Sequence, residues 1–339
     1  MPVKVNDPFG AASDSQLPSV ALALDPGEVE RRFKRGLPRL ATPCGTVQLK
    51  SIRVLHHKPG RRCVIEYDVR VQQPDLPRTK AILIGKVRAR RFGNEAYRLL
   101  DAFWKSGFDK KSPDFISVPE PIGVIPELRV WLQRKIAGEL ATNVLLGPQG
   151  LQLARRTAEA LCKLHRAGVP TERVHTMADE LRILHEHLPC VSRLRPEWRH
   201  RIERLLEACV RLGASVPTPT ACGIHRDFYP AQLMVRKGRL FLLDFDLYCQ
   251  GDPALDAGNF IGHLTEMSLR LQGTSEALAD REQALAERFL ELNGPASRSA
   301  LTAYATLTLV RHVYLSTQFP ERAPFTERLL QLCEDRLLG

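Results

Sequence analysis

The sequence predicts an α+β protein in two parts, a small antiparallel sheet followed by a larger, mainly helical region. Three observations carry this. Residues 45–135 contain β-branched, partly alternating segments separated by turn-rich stretches. After Gly138 apolar residues recur at helical spacing. One compact hairpin interrupts the helices: QLMVR, a turn at Lys237-Gly238, and RLFLLDF.

Residues 1–44 are rich in Pro, Gly and small residues. They read as a loose leader with one short helix near Pro26–Arg35, capped by Asp25. TVQLKSIRVLHH, RCVIEYDVRV and KAILIGKVR predict three strands, with HKPGR and QQPDLPR as the turns. NEAYRLLDAFWKSG predicts an amphipathic helix ending at Gly107, and PIGVI and LRVWLQRK predict two more strands. The first lobe is therefore expected over 45–136, as a five-stranded antiparallel sheet with one helix. The second is expected over 137–339. There GLQLARRTAEALCKLHRAG, PEWRHRIERLLEACVRLG and several segments between 253 and 338 read as helices. No internal repeat or low-complexity tract is visible.

The 339 residues are enough for two lobes. No apolar run approaches the roughly 20 residues of a membrane-spanning helix. The first 25 residues lack a positive start followed by an apolar core, so a cytoplasmic location is expected. None of the eight cysteines, Cys44 among them, pairs as C-x-x-C, most sit inside apolar segments, and they are read as buried reduced thiols rather than zinc ligands or disulfides. The net charge of +11 lies wholly in residues 1–138, which hold 25 Lys+Arg against 14 Asp+Glu. A basic half suits a polyanionic ligand such as a nucleoside triphosphate. It also suits nucleic acid, but no nucleic-acid motif accompanies it, and that partner is not expected.

The densest polar cluster surrounds the hairpin. GIHRDFYPAQLMV is followed by KGRLFLLDFDLYCQGDPALDAGNF. Asp227 is followed five positions later by Gln232, and Asp244 ends the apolar strand LFLL twelve positions beyond that. Phosphoryl transfer asks little of a protein beyond positioning and charge neutralisation. One carboxylate must take or orient the proton of the attacking hydroxyl, and hard oxygen ligands must hold magnesium against the phosphates. A loop carboxylate, an amide five residues on, and a second carboxylate carried back by a hairpin can supply that set. Each residue has a plainer reading too. A loop Asp commonly serves a turn or a cap, and Lys86 on a strand can act as an edge charge.

The motif HRDFYPAQ resembles the kinase catalytic loop H-R-D-x-x-x-x-N at every fixed position but the last. With Gly251-Asp252-Pro253 and Asp256-Ala257 behind it, the chain resembles the aminoglycoside phosphotransferase and choline kinase-like branch of that fold, over roughly residues 50–320. The seven-residue interval from Asp244 to Gly251, and the absence of A-P-E, separate it from protein kinases and favour a small-molecule acceptor. The resemblance implies a bilobal protein kinase-like fold and an ATP- and magnesium-dependent transfer of the γ-phosphate to a small-molecule hydroxyl of aminoglycoside, sugar or amino-alcohol type. GTP is an alternative donor. It implies Asp227 as catalytic base, Gln232 and Asp244 as metal ligands, Lys86 on the α- and β-phosphates with Glu95 as its partner, and Gln133, Lys135 and Ile136 within a hinge that meets the adenine. His225 and Asp256 would support the loop.

Three positions depart from the pattern. Gln232 replaces Asn, which lengthens the reach of the amide by about 1.5 Å. Arg226 stands where aminoglycoside kinases usually have Gly. The phosphate-covering turn HKPGRR has one glycine, Gly60, although Lys58, Arg61 and Arg62 could assist it. Gln232 keeps a second reading open, a nucleotide-binding pseudokinase without turnover. Aminoglycoside kinases tend to line the acceptor lobe with carboxylates, and residues 139–339 here are charge-neutral overall.

Overall fold

The computed structural model describes residues 2–37, 39–41, 45–74, 77–89 and 94–339. Its contacts divide the chain into two compact units, Met1–Ala137 and Gly138–Gly339.

The first unit contains β1 (Lys4–Asn6), α1 (Ser19–Leu24), α2 (Pro26–Gly36), β2 (Thr46–Lys58), β3 (Arg62–Gln72), β4 (Thr79–Arg88), α3 (Asn94–Lys105), β5 (Ile116–Ser117), β6 (Pro121–Ile125) and β7 (Val130–Arg134). Six of the strands form one sheet in the order β1-β2-β3-β4-β7-β6. β2 to β4, β6 and β7 are the five expected strands. The sixth, β1, joins in parallel along Ser51–Arg53 of β2. Period-two alternation builds the inner face: on β3, Cys63, Ile65, Tyr67, Val69 and Val71 are all buried.

The leader is not loose. Leu17, Val20, Val29, Phe33 and Leu37 are buried in one core with the inner faces of β2, β3 and β4. Phe33 meets the Tyr67 ring edge-on at 5.2 Å, and the Tyr67 hydroxyl donates to the Ala23 carbonyl. Pro8, Gly10, Pro18 and Pro26 mark turns and helix starts, while the apolar residues between them supply the packing. Asp25 caps α2 by accepting the Glu28 N–H at 2.7 Å, with Pro26 at the first helical position.

The second unit contains β8 (Glu139–Leu140), α4 (Ala141–Leu146), α5 (Gly150–His165), α6 (Met177–Leu194), α7 (Arg199–Ala214), β9 (Cys222–Ile224), β10 (Leu233–Arg236), β11 (Arg239–Leu242), β12 (Cys249–Gly251), α8 (Pro253–Gln272), α9 (Ala279–Asn293), α10 (Arg298–Thr317) and α11 (Thr326–Leu338). α6 is a helix that apolar spacing did not mark. Its signal is the capping box of Thr176 and Asp179, which satisfies two backbone donors reciprocally. β10 and β11 form the expected hairpin, from Leu233 opposite Leu242 to Arg236 opposite Arg239. Lys237 and Gly238 both take positive φ, 49° and 74°, as a mirror-image two-residue turn requires. β9 pairs with β12.

α8 and α10 pack closely because α8 carries glycine where they meet. A Cβ at Gly258 would lie 2.6 Å from Tyr304 Cβ, and one at Gly262 would lie 2.7 Å from Thr308 Cβ. Leu188, Val191, Leu205, Val310 and Leu330 bury the contact among α6, α7, α10 and α11. The described cysteines are free thiols, five of them buried, and Cys44 lies outside the described residues. Among the described residues no helix is long and apolar enough to cross a membrane.

Candidate active site

In the second unit, β9 delivers the chain to His225, Arg226 and Asp227. The loop hangs on one buried carboxylate. Asp256, in the first turn of α8, is fully buried. It accepts the backbone N–H groups of His225 and Arg226, both at 2.7 Å, and His165 Nε2 lies 2.9 Å from it. A buried carboxylate is costly unless donors surround it, and here it has three. Arg226 is held at φ 69°, a left-handed conformation that glycine adopts without cost. That conformation accounts for the usual glycine at the position.

His225 Nε2 donates to the Leu243 carbonyl at 2.8 Å, and its ring packs against Phe228 and Phe245. The Leu243 N–H in turn donates to the Gln232 carbonyl at 2.9 Å. The residue before Asp244 is thus tied from both sides, to the loop and to the start of the hairpin. Asp244 follows in the left-handed region at φ 58°. Gln232, nine-tenths buried, and half-buried Asp244 are therefore neighbours through the backbone. A side-chain amide and a carboxylate are oxygen donors of the hard kind that magnesium favours. Among the described residues no three His, Cys, Asp or Glu side chains converge on a metal position. A divalent ion held here would take its remaining ligands from phosphate and water, as magnesium commonly does.

The Asp227 carboxylate has no hydrogen-bond partner among the described residues. It lines a pocket of about 540 Å³ enclosed by its own loop (Tyr229, Pro230, Ala231), by α8 (His263, Glu266, Met267, Arg270), by α10 (Arg311, His312, Leu315), and by Thr142, Phe319 and Arg322. The α8 contribution is a polar stripe. Asp256, Asn259, His263, Glu266 and Arg270 follow one another at intervals of three and four, one face of a helix. Asn259 donates to the Phe228 carbonyl at 2.8 Å and accepts from Arg311, so α8 and α10 both grip the loop. Sequence reasoning assigned no role to Asn259, His263, Glu266, Arg270 or Arg311. The signal available was a run of polar residues at core spacing in a helix otherwise buried.

In the first unit, Lys86 lies on β4, half-buried, with Nζ 5.1 Å from the centroid of the Trp131 ring on β7. Glu95 is exposed in the first turn of α3. Gln133 is on β7 opposite Ile84. The Lys135 N–H donates to the Ile82 carbonyl, and its ammonium pairs with Glu66. Burial opposes the charge of Glu66, but Lys135 and Arg53 outweigh it and hold the carboxyl below the usual range. Ile136 follows, half-buried, two residues from the unit boundary. The turn between β2 and β3 puts Gly60 at φ 64°. Its N–H is bonded to Asp14 at 2.8 Å, and Asp14 also holds His57. Both contacts, the Gly60 N–H first, lower the Asp14 pKa. Lys58, Arg61, Arg62 and Arg88 surround an adjoining pocket of about 660 Å³. The turn thus offers an anion side-chain cations, its glycine N–H being taken.

The fold and the loop define a class, the kinase-like phosphotransferases, whose solved members are similar along nearly the whole chain. A choline/ethanolamine kinase family protein from Mesorhizobium loti is 16% identical with a TM-score of 0.59, over 92% of this chain and 95% of that one. A glucosamine kinase in complex with glucosamine, ADP and phosphate is 15% identical with a TM-score of 0.59, over 94% and 87%. A spectinomycin phosphotransferase in complex with ADP and spectinomycin is 10% identical with a TM-score of 0.58, over 91% and 98%. At these identities the likeness establishes the fold. The chain belongs to the phosphotransferase enzyme family, whose profile matches residues 88–301. No curated protein sequence matches it.

Proposed function

We propose that the protein is a small-molecule kinase that moves the γ-phosphoryl group of ATP to a hydroxyl. The observation that carries this is Asp227. Its loop is locked by Asp256 and His225, yet its own carboxylate has no partner among the described residues and lines an open pocket. Asp227 takes the hydroxyl proton as the acceptor oxygen bonds to the γ-phosphorus and the bond to the leaving ADP breaks. Gln232 and Asp244 hold magnesium, which neutralises charge on the phosphates when bound. Lys86, with Glu95 as its partner, steadies the α- and β-phosphates, and Gln133, Lys135 and Ile136 meet the adenine. The family profile and the ADP-bound structural relatives support the nucleotide assignment.

The test is magnesium-dependent consumption of ATP, and of GTP in parallel, against a panel of hydroxylated small molecules. Stimulation by an acceptor, reduced about 100-fold or more in Asp227→Asn, is the expected result. Near wild-type turnover by that variant would remove Asp227 from the mechanism. Nucleotide binding without consumption across the panel would favour a regulatory module.

A further inference from the structure

The wall facing Asp227 is basic, and its charges are unevenly matched. Arg270 on α8 is clamped by Glu266, with Nε at 2.8 Å and Nη2 at 3.4 Å from the carboxylate oxygens. Arg311 on α10 is held by Glu180 at 3.3 Å and by Asn259. Glu180, Glu266 and Asn259 are buried, so both guanidinium groups are fixed before any ligand arrives. Each guanidinium has five N–H donors, and these pairings use only some of them. Arg322 packs against the Phe319 ring at 5.0 Å and makes no ion pair with a described residue.

The carboxylates are accounted for differently. Glu266 is consumed by Arg270. Among the described residues that line the pocket only Asp227 is left, and a group that must receive a hydroxyl proton cannot also neutralise an ammonium ion. The pocket therefore has a free guanidinium for an oxyanion and no free carboxylate for an amine. His263 and His312, 3.2 Å apart in the same wall, agree with this. Burial first, and then the charges of Arg311, Arg322 and Arg270, hold His312 down to about 3. The same groups, together with His312, hold His263 well below its ordinary value. Neither ring adds a charge at neutral pH, chiefly through burial, with the neighbouring guanidinium charges acting in the same direction.

From this arrangement we infer that the acceptor is a hydroxylated small molecule bearing an oxyanion, a carboxylate or a phosphate, that Arg322 binds with Arg270 and Arg311 while Asp227 addresses the hydroxyl. This rests on the kinase reading above. It distinguishes the pocket from one built for a polycationic aminoglycoside or an amino alcohol. An oxyanion bonded to a preorganised guanidinium gains a charge-assisted contact, whereas an ammonium in the same place meets like charge.

The experiment compares probes that share one six-carbon skeleton: glucose, glucosamine, gluconate and glucose 6-phosphate. Thermal stabilisation of the full chain is measured with ADP saturating, so that the anionic probes do not compete for a nucleotide site. ATP consumption is measured with the same four. Wild type is compared with Arg322→Gln. The expected result is stabilisation by gluconate or glucose 6-phosphate and not by glucosamine, with roughly tenfold weaker binding in the variant. Where turnover occurs, KM rises and kcat changes little. The two anionic probes separate carboxylate from phosphate recognition. Preference for glucose or glucosamine, anion binding equal in wild type and variant, or no anion-specific stabilisation overturns the inference. Arg322-dependent anion binding without nucleotide binding or turnover sinks the kinase reading and leaves the anion site standing.

Discussion

At the scale of single residues, Asp256 is the clearest case of sequence identity dictating geometry. Its two oxygens receive the His225 and Arg226 N–H groups and the His165 ring. Asp256→Asn keeps one acceptor oxygen but turns an NH₂ group toward a second donor. It is expected to cost about 2–3 kcal/mol in urea unfolding and to lower kcat by loosening the loop. Unchanged stability and unchanged kcat together would show that the loop is held elsewhere. The position was legible because Gly251-Asp252-Pro253 and Asp256-Ala257 follow the apolar strand at a recognisable interval. Arg322 was not, since nothing in its neighbours E-R-A-P distinguishes a pocket residue from a solvated one. Only the fold sets it 95 residues beyond Asp227 yet in the same wall.

At the scale of elements, the contact between α8 and α10 decides where the pocket beside Asp227 lies. Gly258 and Gly262, one turn apart, bring the two backbones together. Beside them Asn259 and His263 meet Arg311 and His312. Gly258→Ala adds a methyl 2.6 Å from Tyr304 Cβ and 2.8 Å from the Ala305 nitrogen, and backbone cannot move aside cheaply. The expected loss is about 1–3 kcal/mol, less the helix propensity gained with alanine, read as a lowered Tm. A Tm at or above wild type would mean that the helices stand further apart. The helices themselves were visible from periodicity, apart from α6, whose strongest signal was a cap and not an apolar stripe.

At the scale of the whole molecule, stability depends on buried titrating groups that pull in opposite directions. His312 is protonated more readily in the unfolded chain, so its contribution is lost as pH falls below about 6.5. Glu282 on α9 behaves the other way. Burial lifts its carboxyl from 4.5 to about 7, against the hydrogen bond from Thr265. The folded chain binds more protons in that window, so stability falls as pH rises through it. Glu282→Gln removes this effect. The variant is expected to match wild type near about pH 4 and to exceed it by about 2 kcal/mol above pH 7, after allowance for solvent screening. A gain independent of pH, or none, would show that Glu282 is ionised in the folded protein.

What the sequence by itself determined is everything encoded over short intervals. The alternation of β2 to β4, the Lys237-Gly238 turn, the Asp25 cap and the spacing from Asp227 to Gln232 and Asp244 all depend on residues close in the chain. The kinase-like class follows from them. Tertiary structure alone decided the rest. It converted a Pro- and Gly-rich leader into packed helices and a sixth strand, because burial of Leu17, Val20 and Phe33 depends on a sheet that begins many residues later. It also assembled one basic wall from α8, α10 and the segment after α10. Charge composition could not foretell that wall. A near-neutral total conceals which guanidinium groups are paired with buried carboxylates and which one is left for a ligand, and that is settled by contacts between distant elements.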